Sequence, residues 1–87
     1  MRFVVTIEYT DLAARERALP NHRDYLAAGR AQGIVTESGP FADGKGGMYF
    51  LNVADEAQAR AFVAEDPYTA AGMRLTLRQW HSSRESR

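Results

Sequence analysis

The stretch GIVTESGPFADGKGGMYFLNV, residues 33–53, decides the fold. Ile34 and Val35 open a short apolar segment that reads as a strand over residues 34–37. Ser38 to Gly47 then holds four glycines and one proline, a concentration of turn formers that predicts a long hairpin connection. Met48, Phe50 and Val53 mark the return strand, with Tyr49 and Leu51 on the opposite parity. Apolar residues on both parities predict a central strand covered on both faces.

Working outward, Phe3, Val5, Ile7 and Tyr9 alternate with Val4, Thr6 and Glu8, the pattern of a strand with one well-buried face. A helical region follows from Leu12 to Gln32, with an interruption expected at Pro20, which lacks a donor and restricts Leu19 before it. His22, Leu26 and Gly29 form an i, i+4, i+7 stripe, and Gly33 is placed to end the helix. Beyond the hairpin, Asp55 with Gln58 three residues later reads as a capping box. Ala57, Ala61 and Ala64 form a small-residue stripe suited to close helix–sheet approach. Asp66-Pro67 ends that helix, PYTAAG makes one more turn closed by Gly72, and Met73, Leu75 and Leu77 alternate in a last strand.

The order strand, helix, strand, strand, helix, strand predicts an α+β fold: a ferredoxin-like βαββαβ sandwich with a four-stranded antiparallel sheet. Residues 1–81 are expected to form one domain and residues 82–87, with almost no apolar content, a flexible tail. Both helices fall on one sheet face. Tyr49 and Leu51 are expected on the other, where a second copy would cover them; a homodimer follows as an expectation.

The 87 residues carry 11 basic and 11 acidic side chains, and ten of the basic ones are arginine. Zero formal charge gives little long-range attraction to nucleic acid or anionic lipid, so no nucleic-acid partner is expected. Tyr49 and Phe50, adjacent in a strand, point to opposite faces and make no stacking platform for RNA. No apolar run approaches a membrane span, so no membrane partner is expected. The absence of cysteine fits a reducing, cytoplasmic setting and removes thiolate chemistry. No HxH, HExxH or cysteine spacing is present, so no metal is expected, and no nucleotide-binding glycine pattern suggests a cofactor.

Two residues carry the chemistry. His22 can exchange a proton near neutral pH if a carboxylate fixes its tautomer. Asp66 lies 44 residues away, yet the topology places both helices on one sheet face, so contact is feasible. Each has a plainer reading as well: His22 as a packed helix residue, Asp66 as the boundary residue that commonly precedes proline.

The chain also resembles a known family. Arg17 followed by His22 with Tyr25-Leu26, then Gly39-Pro40, Gly46-Gly47, Asp66-Pro67-Tyr68 with Ala71-Gly72, and Trp80 together resemble the YCII-related domain family across nearly the whole sequence. No one of these motifs is specific; their order and spacing carry the likeness. The resemblance implies a dimeric α+β barrel and a His–Asp dyad, here His22 and Asp66, in a cleft near the subunit interface. The wider superfamily includes muconolactone-isomerase-like proteins and a dehydrochlorinase-like branch. The expected activity is therefore lyase- or isomerase-type acid–base chemistry on a small organic acid. Arg17 would hold the substrate carboxylate, and Gly39, Gly46 and Gly47 would admit backbone amides to developing charge. The alternative is a non-catalytic small-molecule-binding or accessory module in which His22 and Asp66 form a structural bond.

Overall fold

The computed structural model describes residues 1–84; of the expected tail, residues 85–87 lie outside the described residues. Strand β1 (Arg2–Glu8) leads into helix α1 (Leu12–Ala31), strands β2 (Val35–Pro40) and β3 (Gly46–Asn52), helix α2 (Glu56–Ala64), the short helix α3 (Pro67–Ala70) and strand β4 (Arg74–Gln79). The strands order β2-β3-β1-β4, and all three pairings are antiparallel. This is the sheet that the βαββαβ order predicts, with α3 as the extra turn after Asp66.

The expected barrel is not present. β2 and β4 each pair with one neighbour only, so the sheet is open along both edges. The physical reason is strand number, since a barrel whose interior side chains fill it takes about eight strands.

Phe3, Val5 and Ile7 of β1 are buried, and register sets Leu51 opposite Phe3 and Tyr49 opposite Val5. Tyr49 and Leu51 therefore belong to the helix-covered core, where both have no exposed surface, and not to the outer face as expected. A strand apolar on both parities gives no sign of which parity faces inward; its pairing with β1 decides it. The outer face carries Phe50, which sits edge-on to Trp80 with ring centroids 5.3 Å apart.

Helix α1 runs unbroken through Pro20, contrary to the expected interruption. Pro20 and Glu16, whose carbonyl the missing N–H would have met, are both exposed, so water can take that acceptor. The buried residues of α1 are His22, Leu26 and Gly29, the stripe expected from spacing. Gly29 is where the helix meets the sheet and α2: a Cβ there would lie 2.9 Å from Val35 Cγ2 and 3.0 Å from the Phe62 ring.

In α2, Asp55 caps by accepting from Gln58 N–H at 2.9 Å, while Gln58 Oε1 reaches back to the Ala54 N–H at 3.2 Å. Ala57, Ala61 and Ala64 face solvent, and Ala59 with the half-buried Phe62 and Val63 faces the core. The large side chains at i+3 and i+4 from Ala59 set the inward face, which leaves the small stripe outside.

The hairpin is tighter than expected, with β2 extending to Pro40 and β3 beginning at Gly46. Gly46 lets β3 begin close against β1, because a Cβ on it would stand 2.0 Å from the backbone oxygen of Ile7. Gly39 meets nothing within 4 Å. Gly46→Ala is expected to cost about 3 kcal/mol or more, since backbone rather than a rotatable side chain must move. Gly39→Ala should stay within about 0.5 kcal/mol. Urea unfolding followed by circular dichroism compares the two, and equal midpoints would contradict the packing role assigned to Gly46.

Candidate active site

Asp66 stands at the junction of α2 and α3, where it caps α3 and Pro67 occupies the first turn without needing a partner for its nitrogen. Its carboxylate has no exposed surface, and charge in such a position requires donors. Three are supplied. Oδ1 accepts from the Tyr68 N–H at 2.9 Å and from His22 Nδ1 at 2.8 Å, and Oδ2 accepts from the Tyr49 hydroxyl at 2.9 Å. The helix-cap role of Asp66 and its contact with His22 coexist, because one oxygen serves the Tyr68 N–H and the imidazole at once.

His22 projects from the middle of α1 and is 7% exposed. Its ring stacks on Tyr68 at a centroid distance of 3.7 Å and an interplanar angle of 5°. An ionised carboxylate only accepts, so its bond to Nδ1 calls for a proton there, and in the neutral ring Nε2 then carries the lone pair. Among the described residues no buried side-chain nitrogen or oxygen lacks a partner, and no described group bonds Nε2. Nε2 accordingly reaches open space.

That space is a cavity of about 350 Å³ between α1 and the β2–β3–β1 part of the sheet. His22, Tyr49 and Tyr68 line it, with Tyr9 and Ile7 from the β1 end and Ser38, Gly39, Pro40 and Gly47 from the hairpin. Three arginines, Arg15, Arg23 and Arg30, also line it, and no aspartate or glutamate does. Arg15 donates from Nε to the Tyr68 hydroxyl at 3.2 Å and from Nη2 to the Tyr9 hydroxyl at 3.3 Å. Arg30 donates to Ser38 Oγ, linking the end of α1 to β2.

Of the residues read from sequence as substrate-binding, Gly39 and Gly47 line the cavity. Gly46 is not among its lining residues, and neither is Arg17, which is exposed. At about 100° per residue, Arg17 lies roughly 140° around the helix from His22, whereas Arg15 at i−7 lies within about 20° of it. Arg15, Leu19, His22, Arg23, Leu26 and Arg30 follow one another at helical spacing, and that stripe is the signal by which Arg15, Arg23 and Arg30 were legible. Tyr49 and Tyr68 had no such signal, being placed by strand register and by the α2–α3 turn. Among the described residues no cluster of three or more His, Cys, Asp or Glu could hold a metal ion, and no helix is long and apolar enough to cross a membrane.

The profile of the YCII-related domain family matches residues 1–81. This chain belongs to the YCII-related domain family. Among solved structures, it is similar to 5-chloro-2-hydroxyhydroquinone dehydrochlorinase from Burkholderia phenoliruptrix AC1100, in complex with 2,5-dihydroxybenzoquinone. The TM-score is 0.82 at 21% identity, over 97% of each chain, which is a likeness of fold. No curated protein matches the sequence.

Three tyrosines of this YCII-related protein, Tyr25, Tyr49 and Tyr68, are held towards their protonated form. Burial, with the Asp66 charge and the hydrogen bond to it, pushes the Tyr49 hydroxyl far above the ordinary tyrosine value. Burial, with the charges of Asp66 and Glu65, pushes Tyr25 up to about 12. Burial also raises Tyr68, against the opposing hydrogen bond and charge of Arg15. For Arg15, burial works against the charge, but the hydrogen bonds and attraction to Tyr68 and Tyr9 outweigh it, and its pKa lies above the ordinary arginine value.

These shifts fix a sign. Tyrosines ionise near pH 10 in the unfolded chain but hold their protons higher in the folded one, so the unfolded state loses protons first. The stability they contribute is complete below about pH 10 and is lost as pH rises towards 12. With a single lysine in the chain, few other groups titrate in that window. The urea midpoint should hold level up to about pH 9 and fall steadily above pH 10; a level midpoint throughout would contradict the tyrosine environments described.

Proposed function

We propose that this YCII-related protein is a small-molecule enzyme of the lyase or isomerase kind, in which His22 moves a proton on a small organic acid and Asp66 orients it. One observation carries the reading: a fully buried carboxylate, held by two further donors, fixes the His22 ring so that Nε2 is the nitrogen presented to the cavity. An unprotonated Nε2 lone pair is a general base, and the imidazolium formed on accepting a proton keeps its Nδ1–H on Asp66. The proton can be returned to a different atom of the same substrate or to a departing group, which are the isomerase and lyase outcomes.

The cavity wall supports an anionic substrate. Arg15, Arg23 and Arg30 present positive charge with no carboxylate opposing them, and a guanidinium fork suits a substrate carboxylate. The dehydrochlorinase of similar fold, solved with a small oxygenated ring compound, supports a ligand of that size.

We also propose that the protein forms a homodimer through the outer sheet face, where Phe50 packs on Trp80 and Trp80 stays 39% exposed. Light scattering at micromolar concentration is expected to return twice the chain mass, and a monomer mass would remove that proposal.

The His22 ring itself reports the dyad. Nitrogen-15 shifts should show a single Nδ1–H tautomer in the wild type and a mixture in a folded Asp66→Asn variant. An unchanged ring in that variant would count against Asp66 as the orienting group. Once a metabolite screen by thermal shift supplies a turned-over compound, His22→Gln should lower its turnover by about 10²–10⁴-fold. Binding without turnover, untouched by the His22 substitution, would favour a binding module.

A further inference from the structure

The chain has four tyrosines, and their hydroxyls fall into two pairs. Tyr49 donates to Asp66 Oδ2 at 2.9 Å, and Tyr25 donates to the Phe62 carbonyl at 2.7 Å. Both of those protons have acceptors. Tyr9 and Tyr68 differ, because each hydroxyl oxygen accepts from the same guanidinium, that of Arg15. Among the described residues neither of these two hydroxyl hydrogens has an acceptor.

A hydroxyl without a protein acceptor that lines a cavity is able to donate into it. Tyr9 and Tyr68 both line it together with His22, and their rings meet edge to face at a centroid distance of 6.0 Å. The Tyr9 oxygen lies close to the hairpin wall, 3.5 Å from where a Cβ on Gly47 would stand. Arg15 lies with its Cζ 4.6 Å from the Tyr9 ring centroid, so both oxygens are fixed by one half-buried cation. A hydroxyl that accepts from a charged donor becomes a stronger donor itself, because the hydrogen bonds polarise one another. Burial holds Tyr68 in its protonated form, as a donor must be.

We propose that Tyr9 and Tyr68, held by Arg15, are an oxyanion-binding pair for the oxygen of a small enolisable carbonyl compound. This rests on the reading of His22 as the base and names the substrate class on which that base acts. Nε2 takes the proton from the carbon next to the carbonyl. The C–H electron pair becomes a new carbon–carbon double bond, and the carbonyl π pair moves to oxygen. One negative charge on the enolate oxygen then balances one positive charge on the imidazolium, with no electron gained or lost overall. The two hydroxyls donate to that oxygen as its charge develops, which is where preorganised donors lower a barrier most. Return of the proton at another carbon gives an isomer; departure of a β-substituent with its bonding pair gives an elimination.

A phenolate carries the same kind of oxygen, and 4-nitrophenol reports its ionisation by absorbance. Bound to the wild-type protein, it is expected to show the phenolate band at a pH where the free probe is still largely phenol. Tyr9→Phe and Tyr68→Phe should each weaken phenolate binding about tenfold or more and move the bound probe back towards phenol. Tyr25→Phe, whose hydroxyl is bonded elsewhere, should leave the probe as in the wild type. Circular dichroism verifies that each variant is folded. No binding at millimolar protein, or binding indifferent to both Tyr9 and Tyr68 hydroxyls, would overturn the oxyanion pair even if the His22 ring keeps its Nδ1–H tautomer. A tyrosine-dependent phenolate shift beside a His22 ring without that tautomer would uphold the pair and remove the acid–base reading instead.

Discussion

A carboxylate with no exposed surface has to be surrounded by donors, and the site is arranged around meeting that need for Asp66. The donors arrive from three elements: the backbone of α3, the hydroxyl of Tyr49 on β3, and the imidazole of His22 on α1. Removing any of them would leave a buried acceptor short of a partner, a loss of about 1–3 kcal/mol against a total stability of about 5–15 kcal/mol for a domain. Positions of helix, strand and turn are thereby tied to one another through two oxygen atoms. What folding secures is also what catalysis would need, since the bond that satisfies Oδ1 sets the tautomer of His22.

Around this point the packing leaves one side open. Gly46 lets β3 approach β1 and Gly29 lets α1 approach Val35 and Phe62, while Arg15, Arg23 and Arg30 line the side of α1 that faces the cavity. Long charged side chains lie along apolar walls with their heads toward water. The charged side chains that line the cavity are arginines, although the whole chain carries no formal charge. Local charge arrangement, not net charge, sets the character of the cavity wall.

Arg15 shows how one side chain can have two consequences. Its guanidinium contributes positive charge to the wall, and it turns the hydroxyls of Tyr9 and Tyr68 into donors without acceptors. Arg17, two residues along, has the same chemistry and stands outside the cavity, because two residues of helix turn a side chain by about 200°. Choice between the two is a matter of helical phase, not of residue type.

By itself the sequence determined the element order, and with it the antiparallel four-stranded sheet, because alternation, helical stripes and Gly/Pro punctuation are local signals. It also determined that His22 shares a stripe with Leu26 and Gly29, and that Asp66-Pro67 closes a helix. Pro20 misled, since whether a helix tolerates proline depends on water reaching the freed carbonyl, which only the folded surface decides. The face of Tyr49 and Leu51 was likewise undecidable in a strand apolar on both parities, until pairing with Phe3 and Val5 fixed it. Contact between His22 and Asp66, 44 residues apart, is a property of tertiary structure alone: their 2.8 Å bond exists because α1 and the α2–α3 turn pack side by side on one sheet face.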